Sequence, residues 1–203
     1  MIAMTVNDMK NSFFVVGIGA SAGGQAALKE FLKNMPANIN AAFVIVTHLT
    51  RDYKTNLHTI LSGYTSMPVS LVKHGEQLQP GRIYVMPENS EVTVWDGRLF
   101  LEPRANTPVN KAVDTFFESL ARDMGERAVA VVLSGGGNDG SVGVQHIHRH
   151  GGRVFVQAPQ SSPATGMPDA SIAADHPVAV EDPAILAKSI AACIESLVRS
   201  ERI

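Results

Sequence analysis

Val15-Val16-Gly17-Ile18-Gly19-Ala20-Ser21-Ala22-Gly23-Gly24 is the stretch on which the reading of the fold turns. A β-branched apolar run passes into small residues, a single serine stands among them, and a helix-like pattern follows. Small residues permit a tight reversal that bulkier side chains would block, so the stretch predicts a buried strand turning sharply into a helix. Gly19, Ser21 and Gly23 have the G-x-S-x-G spacing of a nucleophile elbow, where a strained turn pushes the serine hydroxyl outward. Gly17, Gly19 and Ala22 also satisfy the looser dinucleotide fingerprint. Nucleophile and phosphate cradle are both open at this point.

Working outward, Phe13 to Ile18 read as a buried strand, and Ala26, Ala27, Phe31 and Leu32 recur at helical spacing until Pro36. Ala41 to Val46 form a second apolar strand, and Asp52 to Leu61 suit a helix that stops near Gly63. Val69 to Val72 and Ile83 to Val85 are short strands separated by a turn-rich segment. Glu91 to Trp95 and Arg98 to Leu101, joined by Asp96-Gly97, carry a strong hairpin signal. Val109 to Met124 have helical periodicity. Ala128 to Leu133 are a third continuous apolar strand, running into Ser134-Gly135-Gly136-Gly137-Asn138-Asp139-Gly140. A short helix closed by Gly151-Gly152, a strand over Val154 to Val156, a short strand over Val178 to Val180 and a terminal helix over Asp182 to Val198 complete the chain.

Strands that are apolar without alternation, interleaved with helices, predict a doubly wound α/β fold. The expected sheet is mainly parallel, with helices on both faces, and the antiparallel β-hairpin embellishes it. The predicted organisation is a flexible leader over residues 1–12 and one domain over 13–203.

Bulk properties narrow the classes of function. The 203 residues are 45% hydrophobic and 18% charged, with a formal net charge of -2. Such a balance supplies no basic field to recruit nucleic acid or an anionic membrane surface. One cysteine, Cys193, precludes an internal disulfide and fits a reducing compartment. No apolar run approaches the ~20 residues of a membrane span, and the N-terminus lacks a signal-peptide core. A cytoplasmic location is expected.

In doubly wound folds the ligand sits beyond the carboxyl ends of the strands. Ser21, His48 and Asp139 each lie just past such an end. Serine hydroxyl needs a base to remove its proton, and the base needs an acceptor to fix its tautomer. The three residues match those needs, and Gly135, Gly136, Gly137 and Asn138 offer backbone N–H groups to a developing oxyanion. A dinucleotide site would instead need an acidic residue about 20 positions after the fingerprint, at the end of the second strand. Thr47-His48-Leu49 stand there, which makes that reading the minor one.

Each residue also has a plainer account. Ser21 suits a helix N-cap, His48 a loop histidine bonded to a carbonyl, and Asp139 a helix-start carboxylate held by backbone N–H groups. His146, His148 and His150 are better read as partners of a helix C-terminus than as metal ligands, since no further ligands accompany them. Trp95, Phe116 and Phe117 are read as core, and Cys193 as packing.

Gly19-Ala20-Ser21-Ala22-Gly23-Gly24, His48 and Gly135-Gly136-Gly137-Asn138-Asp139-Gly140 together resemble the catalytic domain of the CheB family, the bacterial protein-glutamate methylesterases of chemotaxis. Supporting segments are Gly75-Glu76, Pro80 to Pro87, Val113 to Phe117 and Gly166-Met167-Pro168. The resemblance runs from about Phe13 to the terminal helix. It implies hydrolysis of γ-glutamyl methyl esters on methylated chemoreceptors or related signalling proteins, with glutamine deamidation in some members. Carried over by position, it implies Ser21 as nucleophile, His48 as general base, Asp139 as the acid orienting it, and the Gly136 N–H in the oxyanion hole. Ala22 and Met167 would lie close to substrate. No metal or organic cofactor is implied.

The chain departs from the family pattern in places. Ala22 stands where many members have threonine, Gly136 where methionine is common, and Asp169 where arginine is frequent. Only about a dozen residues precede the first strand, against the ~100–150 of a usual domain, so no phosphorylatable receiver domain is expected ahead of it. These differences motivate an alternative: a CheB-like regulatory or binding module of a chemosensory pathway that engages a partner without turnover.

Overall fold

A computed structural model describes residues 13–47, 56–104 and 111–201. The proposed leader, residues 1–12, and His48 lie outside the described residues.

The apolar runs become a seven-stranded sheet. Its strands are β1 (Phe14–Ala20), β2 (Ala41–Thr47), β3 (Val69–Leu71), β5 (Ile83–Val85), β8 (Ala128–Val132), β9 (Arg153–Gln157) and β10 (Ala179–Glu181). They are ordered β10-β9-β8-β1-β2-β5-β3. Every pairing is parallel, as all-apolar strands covered on two faces require. All seven residues of β1, and all seven of β2, are buried.

One face is covered by helices α1 (Gly24–Asn34), α2 (Leu57–Ser62) and α6 (Pro183–Ser200), which contribute Leu28, Phe31, Leu61 and Ile190 to a single apolar cluster with Phe14, Phe43 and Phe155. The other face is covered by α3 (Ala112–Met124), α4 (Ser141–Arg149) and α5 (Gly166–Ala174), whose Phe116, Phe117, Val144 and Met167 pack with Val15, Val44 and Val156. Fully burying Phe116 and Phe117 contributes about 1.5–3 kcal/mol each.

Close packing explains the first two glycines of the opening stretch. A Cβ on Gly17 would stand 2.8 Å from Phe116 Cε1, and one on Gly19 would stand 2.5 Å from Val113 Cγ1. Their absence lets α3 settle directly onto β1.

The sequence reading needs three corrections. First, the hairpin does not extend the main sheet. β6 (Ser90–Trp95) and β7 (Arg98–Pro103) pair with β4 (Glu76–Gln77), in the segment read as turns, to make a separate antiparallel sheet ordered β4-β7-β6. Its turn is as expected, with positive φ at both Asp96 (52°) and Gly97 (68°). The sheet lies on α3: the Asp96 and Gly97 N–H groups donate to the two Asp123 carboxylate oxygens at 2.8 and 2.9 Å, and Val94 N–H donates to Ser119 Oγ at 3.1 Å. Second, Trp95 is 70% exposed and fills no core, because it ends β6 on the outward side. Third, α5 was not foreseen, since Gly166 to Ala174 are mostly small residues and present no apolar stripe.

Candidate active site

The chain leaves β1 in one direction to build β2 and later returns to place β8 against the opposite edge of β1. The boundary between β1 and β8 is therefore a topological switch point, where loops diverge and leave a crevice. The Ser21 turn and the loop from Ser134 to Gly140 both emerge there.

Ser21 is half-buried at the end of β1. Its N–H donates to Ser134 O at 2.9 Å, and its carbonyl accepts from Gly24 N–H at 2.9 Å. Gly23, at φ 75°, supplies the left-handed step that starts α1. Gly23, and not Ser21, occupies the N-cap position of α1, so the N-cap account of Ser21 does not hold.

Gly135 lies directly under the serine. A Cβ there would meet Ser21 Cβ at 3.0 Å and collide with the Met167 thioether. Met167 is fully buried, and its N–H donates to Gly135 O at 2.8 Å. The Gly135 N–H is itself committed to Ala164 O at 3.0 Å, which removes it as an oxyanion donor. Gly136, Gly137 and Asn138 are exposed, and a Cβ on Gly136 would meet nothing within 4 Å.

Asp139 is 5% exposed. Its carboxylate accepts from Val113 N–H at 3.0 Å and Asp114 N–H at 2.8 Å, two amides of the first turn of α3. The helix-start account of Asp139 is thus right in kind, but the helix is α3 and not the α4 that follows it in sequence. Asp114 Oδ1 accepts in turn from Gly140, Val142 and Gly143 N–H groups at 2.8–3.0 Å. Burial pushes the Asp114 carboxyl above its ordinary value, the nearby Asp139 charge adds to that, and the Gly143 and Gly140 N–H bonds and Lys111 oppose it.

Ser134, Gln157 and Asp114 escaped the sequence reading. The first two are fully buried polar residues: Gln157 Oε1 accepts from Ser134 N–H at 2.8 Å, and Ser134 Oγ donates to Ala22 O at 2.8 Å. A polar residue at the buried end of an apolar strand was the available signal, since such a residue must find partners.

His48 follows Thr47, the last residue of β2, which pairs with Ala20 of β1. The order β8-β1-β2 thus gives the proposed acid, nucleophile and base to three adjacent strands. A cleft of about 530 Å³ opens beside Ser21, bounded by Gln25, Leu28, Thr47, Leu57 and Tyr64. Among the described residues no three potential metal ligands cluster; His150 Nδ1 lies 2.8 Å from His146 O, at the α4 C-terminus.

Comparison with known proteins agrees with this fold. A family model described as CheB methylesterase matches residues 16–190. A protein of Pseudomonas putida, named protein-glutamate methylesterase/protein-glutamine glutaminase of group 3 operon, is 36% identical over 168 residues, covering 82% of this chain and 50% of its own length. A protein of the same name from Rhizobium meliloti is 34% identical, covering 79% of this chain and 46% of its own. This chain therefore spans about half the length of these relatives. The crystal structure of the Thermotoga maritima CheB methylesterase catalytic domain superposes with a TM-score of 0.80 at 25% identity, over 91% of this chain and 98% of that one. With nearly the whole sheet and the Ser21 turn inside the matched region, the chain belongs to the CheB methylesterase family.

Proposed function

We propose that residues 13–203 form one catalytic domain, which hydrolyses glutamyl γ-methyl esters on methylated chemoreceptors or related signalling proteins and also deamidates glutamine there. The observation that carries this reading is the placement of Ser21 on a glycine-assisted turn at the β1–β8 switch point, its Cβ against Gly135 and the Asp139 loop beside it. Family membership and the names of the relatives support the same chemistry.

In this reading Ser21 Oγ attacks the ester carbonyl while His48 takes its proton. Asp139 holds the imidazole in the required tautomer and stabilises it once protonated. The tetrahedral oxyanion turns to the exposed glycine loop, where Gly136 N–H is the proposed donor, and Ala22 and Asn138 border the substrate. His48 returns the proton as methanol leaves. Water, deprotonated by the same histidine, then releases the glutamate carboxylate from the acyl-serine. The steps need no metal or organic cofactor. A cytoplasmic location suits such a substrate; among the described residues no helix is long and apolar enough to cross a membrane.

Mass spectrometry of methylated receptor incubated with wild type and with Ser21→Ala tests the proposal. Loss of methyl groups with wild type alone supports it. Unchanged demethylation by Ser21→Ala removes the mechanism, and absence of demethylation and of fluorophosphonate labelling in wild type favours the non-catalytic module.

A further inference from the structure

Ser134 uses every hydrogen-bonding group it has. Its N–H donates to Gln157 Oε1 at 2.8 Å, and its carbonyl accepts from Ser21 N–H at 2.9 Å. Its hydroxyl donates to Ala22 O at 2.8 Å and accepts from Ala164 N–H at 3.1 Å. The turn that presents Ser21 is thereby gripped at both of its residues, Ser21 through the Ser134 backbone and Ala22 through the Ser134 side chain. The hydroxyl also fills the space over Gly23, where a Cβ would come within 2.7 Å of it.

The grip is anchored from behind. Gln157 Nε2 donates to Ser161 O at 2.9 Å, and Ser162 Oγ donates to Ala164 O at 2.9 Å. Ala164 O also takes the Gly135 N–H, and Gly135 O takes the Met167 N–H. One network, buried at Ser134, Gln157 and Met167, therefore ties the serine turn, the glycine loop and the start of α5. A hydroxyl is the smallest side-chain group that donates and accepts at once, and both capacities are used here.

We infer that Ser134 is a positioning residue for the nucleophile: its hydroxyl clamps the Ser21–Ala22 turn to the Ala164 segment and so fixes where Ser21 Oγ points. The inference rests on reading Ser21 as the nucleophile. Displacement of a reacting group by about 1 Å can cost roughly 100-fold in rate. Without the hydroxyl, Ala22 O and Ala164 N–H lose this bridge, while Ser134 itself is fully buried and offers no surface to substrate.

The test uses the full chain as wild type, Ser134→Ala and the nearly isosteric Ser134→Cys. Readouts are the rate of fluorophosphonate labelling, steady-state methanol release from a peptide bearing a glutamyl γ-methyl ester, and thermal unfolding to normalise for folded protein. The expected result is a kcat and a labelling rate about 10- to 100-fold lower in Ser134→Ala, a KM within about twofold of wild type, and an intermediate loss in Ser134→Cys. Labelling and kcat per folded molecule equal to wild type in both variants would overturn the inference. So would a loss confined to KM. Wild type that neither labels nor turns over overturns the nucleophile reading, and this inference with it.

Discussion

Asp114 and Asp139 each accept the leading amides of the helix to which the other belongs or leads. Asp139, before α4, takes the Val113 and Asp114 N–H groups of α3; Asp114, in the first turn of α3, takes the Gly140, Val142 and Gly143 N–H groups at the start of α4. Amides at helix starts have no partner within the helix and carry partial positive charge. Two carboxylates are thereby held near one another, each stabilised by the other's helix. The arrangement also fixes the Asp139 carboxyl plane through both oxygens.

Replacing Asp139 with alanine strips the acceptor from two buried amides. We expect a loss on the order of 2 kcal/mol or more in urea unfolding, together with loss of ester hydrolysis. Asp139→Asn keeps one carbonyl oxygen and should lose less stability while still losing turnover. Wild-type activity in a folded Asp139→Asn protein would argue against the orienting role.

Asp114 makes stability depend on pH in a known direction. Its folded pKa is raised above the ordinary value of 3.8, chiefly by burial. Between the two values the folded state binds more protons than the unfolded one, so the slope of stability with pH is negative. The contribution is complete below pH 3.8 and is lost as pH rises through the folded value. Asp114→Asn has no such titration and keeps Oδ1 as acceptor. Measured by urea unfolding across acid to neutral pH, its stability relative to wild type should rise with pH and then level off.

Gly19 couples packing to the candidate site. A methyl there presses on Val113, whose own N–H bonds Asp139. Gly19→Ala should cost about 1–3 kcal/mol through overpacking and also slow hydrolysis. Val113→Ala in the same chain makes room for the added methyl. The double variant should be more stable than additivity of the two single variants allows, a coupling that denaturation curves of all four proteins would measure.

Trp95 is the single tryptophan and stands 70% exposed at the hairpin end. Its emission in the folded protein should resemble that of an exposed indole and be quenched readily by acrylamide. Trp95→Ser should change stability by less than about 0.5 kcal/mol.

The parallel sheet was legible because its strands are covered on both faces, which forces long apolar runs that no solvated element would carry. Ser21 was legible for a related reason: the small residues around it are demanded locally by the turn. Asp114 was not, because its partners are amides of Gly140, Val142 and Gly143, far along the chain, and an acidic residue in a first helical turn is ordinary. Ser134 and Gln157 carry a fainter signal, a polar residue at the end of an apolar strand, which marks them as needing partners without naming those partners. Trp95 misled because a large aromatic at a strand end is apolar by type, while its side is set by the position of α3. The small sheet was half visible: Asp96-Gly97 marks the hairpin, but two-residue β4 carries no pattern of its own.

The central place of β1 has a consequence for the newly made chain. Its neighbour β2 follows soon after it, but β8, on its other edge, is separated from it by about a hundred residues of synthesis, some 5–20 s at usual rates of translation. Throughout that interval a fully apolar strand has one unpaired edge, the kind of surface that seeks partners in other chains. The same delay means that the emerging polypeptide carries Ser21 without the Ser134–Asp139 loop beside it. On the proposed reading of Ser21, hydrolytic competence would therefore be a late event of folding, reached only when the two halves of the chain have met.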